Sequence, residues 1–336
     1  MVNPWLFGTV LISFFVTLIA MPSWIKQAKK YGLVGKDIQK VKKEEVAESG
    51  GIIVLLGTSL GILSYVAVSV FVFKEGGGDL IKIFALLSVL LISAMVGLMD
   101  DLLGWKKGLS RKIRILIILF AAVPLMVIGA GFFSMMVPFV GEINFGLLYP
   151  LIIIPLGVVG SVTTFNFLAG WNGLEARQGI LILGALAIIT YLTGSSWLSL
   201  IALIMVAALI AFYFFNKFPA KVFPGDVLTY STGAMIAAIA ILGNVERIAV
   251  LFFVPYIIEV ILKARGRLKK ESFGKVQEDG SIEAPYEKVY SLTHVSIRIL
   301  KKIKPGHKVY EKDVVNLINA FQIVIIVLAF WVTGNL

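Results

Sequence analysis

The chain has 336 residues, 58% of them hydrophobic and only 15% charged, and its 31 Lys and Arg outnumber 20 Asp and Glu to leave a net charge of +11. A mean hydropathy of +0.93 excludes a water-soluble globular domain of this length and points to an all-α polytopic membrane protein. The absence of cysteine excludes disulfides and thiolate-held metals.

Apolar runs near the roughly 20 residues that a bilayer core demands recur along the whole chain. They predict about ten transmembrane helices, over 5–25, 49–73, 80–99, 113–132, 147–167, 179–194, 197–215, 227–243, 247–263 and 314–334. The first run has no basic residues before it and no small-residue cleavage site after it, so it reads as a retained helix rather than a signal peptide. Segments 26–48, 100–114, 168–178, 216–226 and 263–313 fall on one side of such a layout and hold 28 of the 31 basic residues. The positive-inside rule makes that side cytoplasmic and both termini external. Basic residues confined to loops between spans suit anionic lipid and anionic substrates, and exclude nucleic acid as a partner.

The acids Asp100, Asp101, Glu175 and Asp226 and the amides Asn166 and Asn172 gather on that same side, while the span centres are almost free of charge. An ion-coupled transporter needs polar groups near midplane and usually an internal repeat, so the pattern favours an enzyme working at one interface.

Taken in order, loop 26–48 is lysine-rich and ends in Glu48-Ser49-Gly50-Gly51, whose glycines allow a helix to start close to a ligand or a neighbour. Loop 100–112 pairs Asp100 and Asp101 with Lys106, Lys107, Arg111 and Lys112. Carboxylates there suit a hard divalent cation and lysines suit phosphate oxygens; capping a helix or pairing with the lysines is the competing reading. Asn166 precedes an Asn172-Gly173 turn that runs into Glu175. Phe223-Pro224-Gly225-Asp226 leads into the eighth span, where Asp226 is either a helix cap or a ligand and Phe223 either a packing residue or a base platform. Arg265-Gly266-Arg267 opens the last internal segment, suited to a pyrophosphate or to anchoring at the interface. That segment, 264–313, reads as a small subdomain of one integral membrane domain spanning 1–336. It holds a hairpin around Asp279-Gly280 and an amphipathic helix over 290–303, with Leu292, Val295, Ile299 and Ile303 forming a stripe expected to lie on the membrane surface.

The order of these motifs, an E-S-x-G loop, G-L-M-D-D, N-F-L-A-G-W-N-G-L-E and F-P-G-D, resembles the polyprenyl-phosphate N-acetylhexosamine-1-phosphate transferases, and most closely their archaeal and eukaryotic dolichyl-phosphate GlcNAc-1-phosphate branch. The resemblance implies transfer of a sugar 1-phosphate from UDP-GlcNAc to dolichyl or polyprenyl phosphate, with UMP released, as the first step of lipid-linked oligosaccharide assembly. It implies Mg²⁺, with Mn²⁺ as the alternative ion, held by Asn166 and Asp226. It further implies uracil contacts from Asn172 and Phe223, pyrophosphate contacts from Lys112, Arg265 and Arg267, and Glu48 near the nucleoside. Asp100 and Asp101 fall beside the reaction centre, Trp105 near lipid entry, the site faces the cytoplasm of the cell membrane, and a homodimer is compatible with it. Gly266 stands where related enzymes carry a histidine, which raises the expectation that it leaves room for a wider choice of sugar. The same chemistry on another UDP-sugar for envelope polymers is the nearest alternative.

Overall fold

A computed structural model describes residues 4–74, 77–103, 108–131, 134–137 and 141–333. Its helices are α1 (Phe7–Lys30), α2 (Gly51–Ala67, continued as a π-turn to Val72), α3 (Asp79–Leu103), α4 (Arg111–Ala121), α5 (Val123–Val127), α6 (Ile154–Phe167, entered through a π-turn from Tyr149), α7 (Leu174–Leu192), α8 (Ser196–Asn216), α9 (Gly225–Leu242), α10 (Glu246–Phe252), α11 (Val254–Arg265), α12 (Leu292–Ile303) and α13 (Glu311–Thr333). Three two-stranded antiparallel ribbons join them: β1 (Val34–Lys36) with β2 (Glu45–Ala47), β3 (Ser134–Val137) with β4 (Gly141–Asn144), and β5 (Lys275–Val276) with β6 (Ile282–Glu283).

Among the described residues, eight helices are long and apolar enough to cross a membrane. Eight of the ten expected spans are thus uninterrupted helices. The other two exist as broken pairs, α4–α5 and α10–α11, each interrupted next to a proline, Pro124 or Pro255, which has no N–H to continue the helical ladder. The all-α polytopic membrane class stands.

The burial pattern is that of a lipid-solvated protein. On α1, Thr9, Ser13 and Thr17 are buried while Leu11, Phe15 and Ile19 are exposed. Polar and small residues let helices meet closely and bond across the seam. Ser13 Oγ donates to the Ile204 carbonyl at 2.8 Å, joining α1 to α8.

Helix α9 is the most enclosed of the eight and packs on α3, α6 and α2. Its Gly233 brings the backbone against Val162, and Ser161 Oγ donates to the Gly233 carbonyl at 2.7 Å. Asp226 lies in the first turn of this central helix, where the fold brings the ends of α2 and α3 against it.

The last internal segment contains the expected hairpin and helix. The buried face of α12 is Leu292, Thr293, His294, Ser296 and Ile297, and it packs on α11 and α13. Of the expected stripe, only Leu292 lies in that face; Ile299 and Ile303 are exposed.

Candidate active site

Two loops distant in sequence are laced together by backbone bonds. Phe223 N donates to the Ala47 carbonyl at 2.7 Å, Gly50 N to the Phe223 carbonyl at 2.9 Å and Gly51 N to the Pro224 carbonyl at 2.9 Å. Ser49 and Gly225 both take left-handed backbone at this junction, with φ of +55° and +70°. The Glu48-Ser49-Gly50-Gly51 loop and the Phe223–Asp226 loop are thus one surface.

Asp101 fastens that surface to α3. Its carboxylate accepts the Ser49 hydroxyl at 2.9 Å, Asp226 N at 2.7 Å and Val227 N at 3.4 Å. The first N–H groups of a helix have no intrahelical acceptor, and a carboxylate supplies one while matching the positive end of the helix dipole. The capping alternative is therefore realised, but on α9 rather than on the helix that carries Asp101.

Asp100 faces another way. Its Oδ1 accepts Leu109 N at 2.6 Å, and its Oδ2 lies 2.8 Å from Nη1 of Arg114. The same Nη1 donates to the Tyr230 hydroxyl at 3.2 Å and stands 3.6 Å from Asp226 Oδ2. The Asn166 amide lies close to the Tyr230 hydroxyl. One guanidinium thus gathers α3, α4 and α9.

Lys112 stands outside that hub. Lys112 is exposed and, among the described residues, forms no ion pair or hydrogen bond. Ser110 caps α4, so Arg111 is its first residue, and Arg114, Ile118 and Ala121 share the inward face while Lys112 turns outward. Arg114 and Tyr230 are functional candidates that sequence reasoning missed. The signal was the helical phase: Arg114 stands four residues before the buried Ile118.

The residues present fit a hard divalent cation. Among the described residues both oxygens of Asp101 and both of Asp100 are engaged, whereas the Asp226 carboxylate has only Arg114 at 3.6 Å, with the Asp100 carboxyl close by. Two carboxyl groups in contact repel when charged unless a cation or a proton lies with them. Among the described residues no three His, Cys, Asp or Glu side chains form a complete metal cage. Mg²⁺ needs none, since it commonly takes one or two carboxylates and completes its shell with substrate phosphates and water.

Next to the acidic cluster, Glu48 and Phe223 flank Gly35, where a Cβ would collide with the Glu48 carboxyl and lie 3.2 Å from Phe223 Cδ2. Phe223 is half-buried, leaving part of its ring open. Burial above all, and then the Asp101 charge, push the Glu48 carboxyl up to about 7. Asn172 is buried; its backbone N donates to Glu311 at 2.8 Å and its side-chain Nδ2 to Asp37 at 3.0 Å.

Arg265 and Arg267 are exposed at the end of α11. Arg111 Nη2 donates to the Leu268 carbonyl at 2.8 Å, which ties this turn to the start of α4. Among the described residues neither arginine bonds the Asp100–Arg114 cluster. Gly266 does not open a space: it is buried, and a Cβ on it would meet Lys270 and Tyr290 at 3.0–3.2 Å. Its expected role in widening sugar choice is withdrawn. His294 is a packed, neutral residue, held down to about 4 chiefly by burial. Trp105 lies outside the described residues.

Residues 83–244 match glycosyl transferase family 4, a stretch that contains the aspartate pair, Arg114, Asn166, Asn172, Phe223 and Asp226. A relative from Saccharolobus solfataricus, provisionally named a UDP-N-acetylglucosamine–dolichyl-phosphate N-acetylglucosaminephosphotransferase, is 40% identical over 86% of this chain and 87% of its own. The chain belongs to this transferase family. A relative of the same provisional name from Sulfolobus acidocaldarius is 36% identical over 87% of this chain and 88% of its own. A phospho-N-acetylmuramoyl-pentapeptide-transferase from Streptococcus agalactiae is 33% identical over 68% of this chain and 70% of its own. The chain is accordingly an integral membrane phosphotransferase, and the fold joins its Glu48–Gly51, Asp100–Asp101 and Phe223–Asp226 loops.

Proposed function

We propose that this enzyme transfers GlcNAc 1-phosphate from UDP-GlcNAc to dolichyl or polyprenyl phosphate on the cytoplasmic face, in a Mg²⁺-dependent reaction. The single observation that carries the reading is the convergence of Asp100, Asp226 and Tyr230 on Arg114 at the rim of the Glu48–Phe223 surface.

The acceptor phosphate oxygen attacks the phosphorus that bears the sugar, the bond to the uridine-side phosphate breaks, and UMP departs. A phosphate monoester is largely dianionic at neutral pH, so it needs no general base from the protein. Phosphoryl transfer depends chiefly on positioning and charge neutralisation. Arg114 supplies a guanidinium whose planar donors match phosphate oxygens, and Asp100 and Tyr230 hold it in place. Asp101 sets where Asp226 stands. Phe223 offers a ring for the base, and Arg265 and Arg267 lie on the turn next to α4, where they can meet the pyrophosphate. When bound by Asp226 and Asn166, Mg²⁺ supplies neutralisation of charge on the diphosphate.

The similarity to a muramoyl-pentapeptide transferase favours one second reading, the same chemistry on a peptide-bearing UDP-sugar. The test is UMP release by the detergent-solubilised chain with polyprenyl phosphate and a panel of UDP-GlcNAc, UDP-GalNAc and UDP-muramoyl pentapeptide, with Mg²⁺ and with chelator. UMP release from UDP-GlcNAc alone, abolished by chelator and by Asp226→Asn, is the expected result. Undiminished turnover in Asp226→Asn across Mg²⁺ concentrations overturns the metal assignment.

A further inference from the structure

Asp37 lies in the lysine-rich first loop, where an acid would ordinarily be solvated, yet it is only 3% exposed. Its Oδ1 accepts the backbone N–H of Gln39 at 3.3 Å, and Lys40 binds its Oδ2. The loop therefore fixes this carboxylate before anything else touches it. Among the described residues its remaining hydrogen-bond partner is the side-chain Nδ2 of Asn172, at 3.0 Å. Asn172 is held a second time through its backbone N, which donates to Glu311 at 2.8 Å.

A carboxylate offers only lone pairs, so the group that Asn172 turns toward Asp37 must be its NH₂. The amide then has one possible orientation. Its Oδ1 accepts no hydrogen bond among the described residues, and it is not among the sealed, unpartnered atoms, as one oxygen each of Glu175 and Glu311 is. Asn172 is 6% exposed, and this acceptor and the second N–H of the same amide have no partner among the described residues.

We propose that Asp37 is a specificity-determining positioning residue: by fixing the orientation of the Asn172 amide it makes the nucleotide site accept uracil and reject cytosine. This rests on the reading that Asn172 meets the base. Uracil presents an N3–H donor beside carbonyl acceptors, and an amide oxygen with a neighbouring N–H complements that edge. Cytosine presents a bare N3 acceptor at the same place, so the fixed Oδ1 meets a lone pair with a lone pair. A free amide could rotate by a half-turn and satisfy cytosine; this one loses its bond to Asp37 if it does. A site built to hydrogen-bond one edge rejects a mismatched edge far better than an apolar pocket does, because its polar groups are left unpaired.

The experiment is calorimetric titration of the full-length, detergent-solubilised chain with UDP and with CDP in Mg²⁺ buffer. A ratio of two dissociation constants from one preparation does not depend on the fraction of protein that is active. Wild type is expected to favour UDP by at least about tenfold, and Asp37→Asn to bring the two within about threefold. In an Asn172→Ala background, Asp37→Asn should change the ratio no further. The paired exchange Asp37→Asn with Asn172→Asp keeps one donor–acceptor bond and an acceptor toward the base, so it should restore the preference for UDP; it also serves if Asp37→Asn alone does not fold. If Asn172→Ala leaves the UDP affinity and the ratio unchanged, the base-site reading itself is wrong. If Asn172→Ala erases discrimination while Asp37→Asn keeps the full wild-type ratio, the base site stands and the role given to Asp37 is overturned.

Discussion

Asp101 accepts the backbone N–H of Asp226 at 2.7 Å, across 125 residues of sequence. The two members of the aspartate pair are thereby separated in role. Asp101 spends its oxygens on Ser49 and the start of α9, whereas Asp100 faces Arg114. Asp101→Ala leaves two backbone N–H groups and a hydroxyl unpaired, and should lower stability by about 1–3 kcal/mol along with turnover. Asp100→Asn keeps the side-chain shape and should reduce turnover at least tenfold with little change in melting temperature. Thermal unfolding in detergent, run beside single-turnover UMP release, separates them. Equal melting temperatures for the two variants would remove the capping role.

Arg114 is the cation at the centre of the cluster, and Lys112 is a solvated neighbour. Arg114→Ala should therefore depress turnover by about a hundredfold or more, the scale seen when a preorganised charge is removed from a developing anion. Lys112→Ala should stay within about threefold of wild type. Arg114→Lys keeps the charge but not the fork that meets Asp100 and Tyr230 together, and should fall between them. Steady-state UMP release on the three variants decides the matter, and a larger loss in Lys112→Ala than in Arg114→Ala would reverse the assignment.

The difference between those two residues shows what the sequence carries and what it does not. Hydropathy alone identified a polytopic membrane chain, because a 20-residue apolar run has few other uses. The motif order identified the loops that bond to one another, Glu48–Gly51, Asp100–Asp101 and Phe223–Asp226. Choosing among the five basic residues that follow Asp101 up to Arg114 required knowing that Ser110 caps α4, because one residue of helical phase moves a side chain by 100°. Asp37 was hidden for a different reason: in a loop rich in lysine it reads as one of a solvated pair, and only the fold buries it against Asn172. The interruptions in two of the spans are not legible in hydropathy, which does not register the backbone bond that Pro124 and Pro255 remove.

Glu48 makes stability depend on pH. Burial and the Asp101 charge raise its carboxyl from 4.5 to about 7. Between those two values the folded chain keeps a proton that the unfolded chain has released. The stabilising contribution is therefore complete below pH 4.5, declines as pH rises through 7 and is gone above it. Glu48→Gln cannot ionise, so it should match wild type at pH 4 and exceed it at pH 8 by up to roughly 3 kcal/mol. Chemical denaturation of the solubilised chain at the two pH values measures this. A Glu48→Gln variant with the same pH slope as wild type would mean that another group sets it.

The approach of α3 to α9 depends on the absence of a side chain at Gly97. A Cβ there would lie 2.5 Å from the Asp226 carbonyl carbon and 2.6 Å from Val227 N, and one at Gly51 would lie 2.5 Å from Leu228 N. These are backbone atoms in the first turn of the central helix, so no rotamer change relieves the clash. Gly97→Ala should push the start of α9 away from Asp101, lengthen the 2.7 Å bond to Asp226 N and cost about 1–3 kcal/mol, with a parallel loss of UMP release. Gly160→Ala is the control, because nothing lies within 4 Å of a Cβ at that position in α6. Alanine is a better helix former than glycine by about 1 kcal/mol, so Gly160→Ala should hold or raise the melting temperature. The two variants make the same chemical change in helix interiors, and only the distance to the neighbouring backbone differs. If both shift the melting temperature alike, helix propensity and not the α3–α9 contact governs the response, and Gly97 has no special part in placing Asp226.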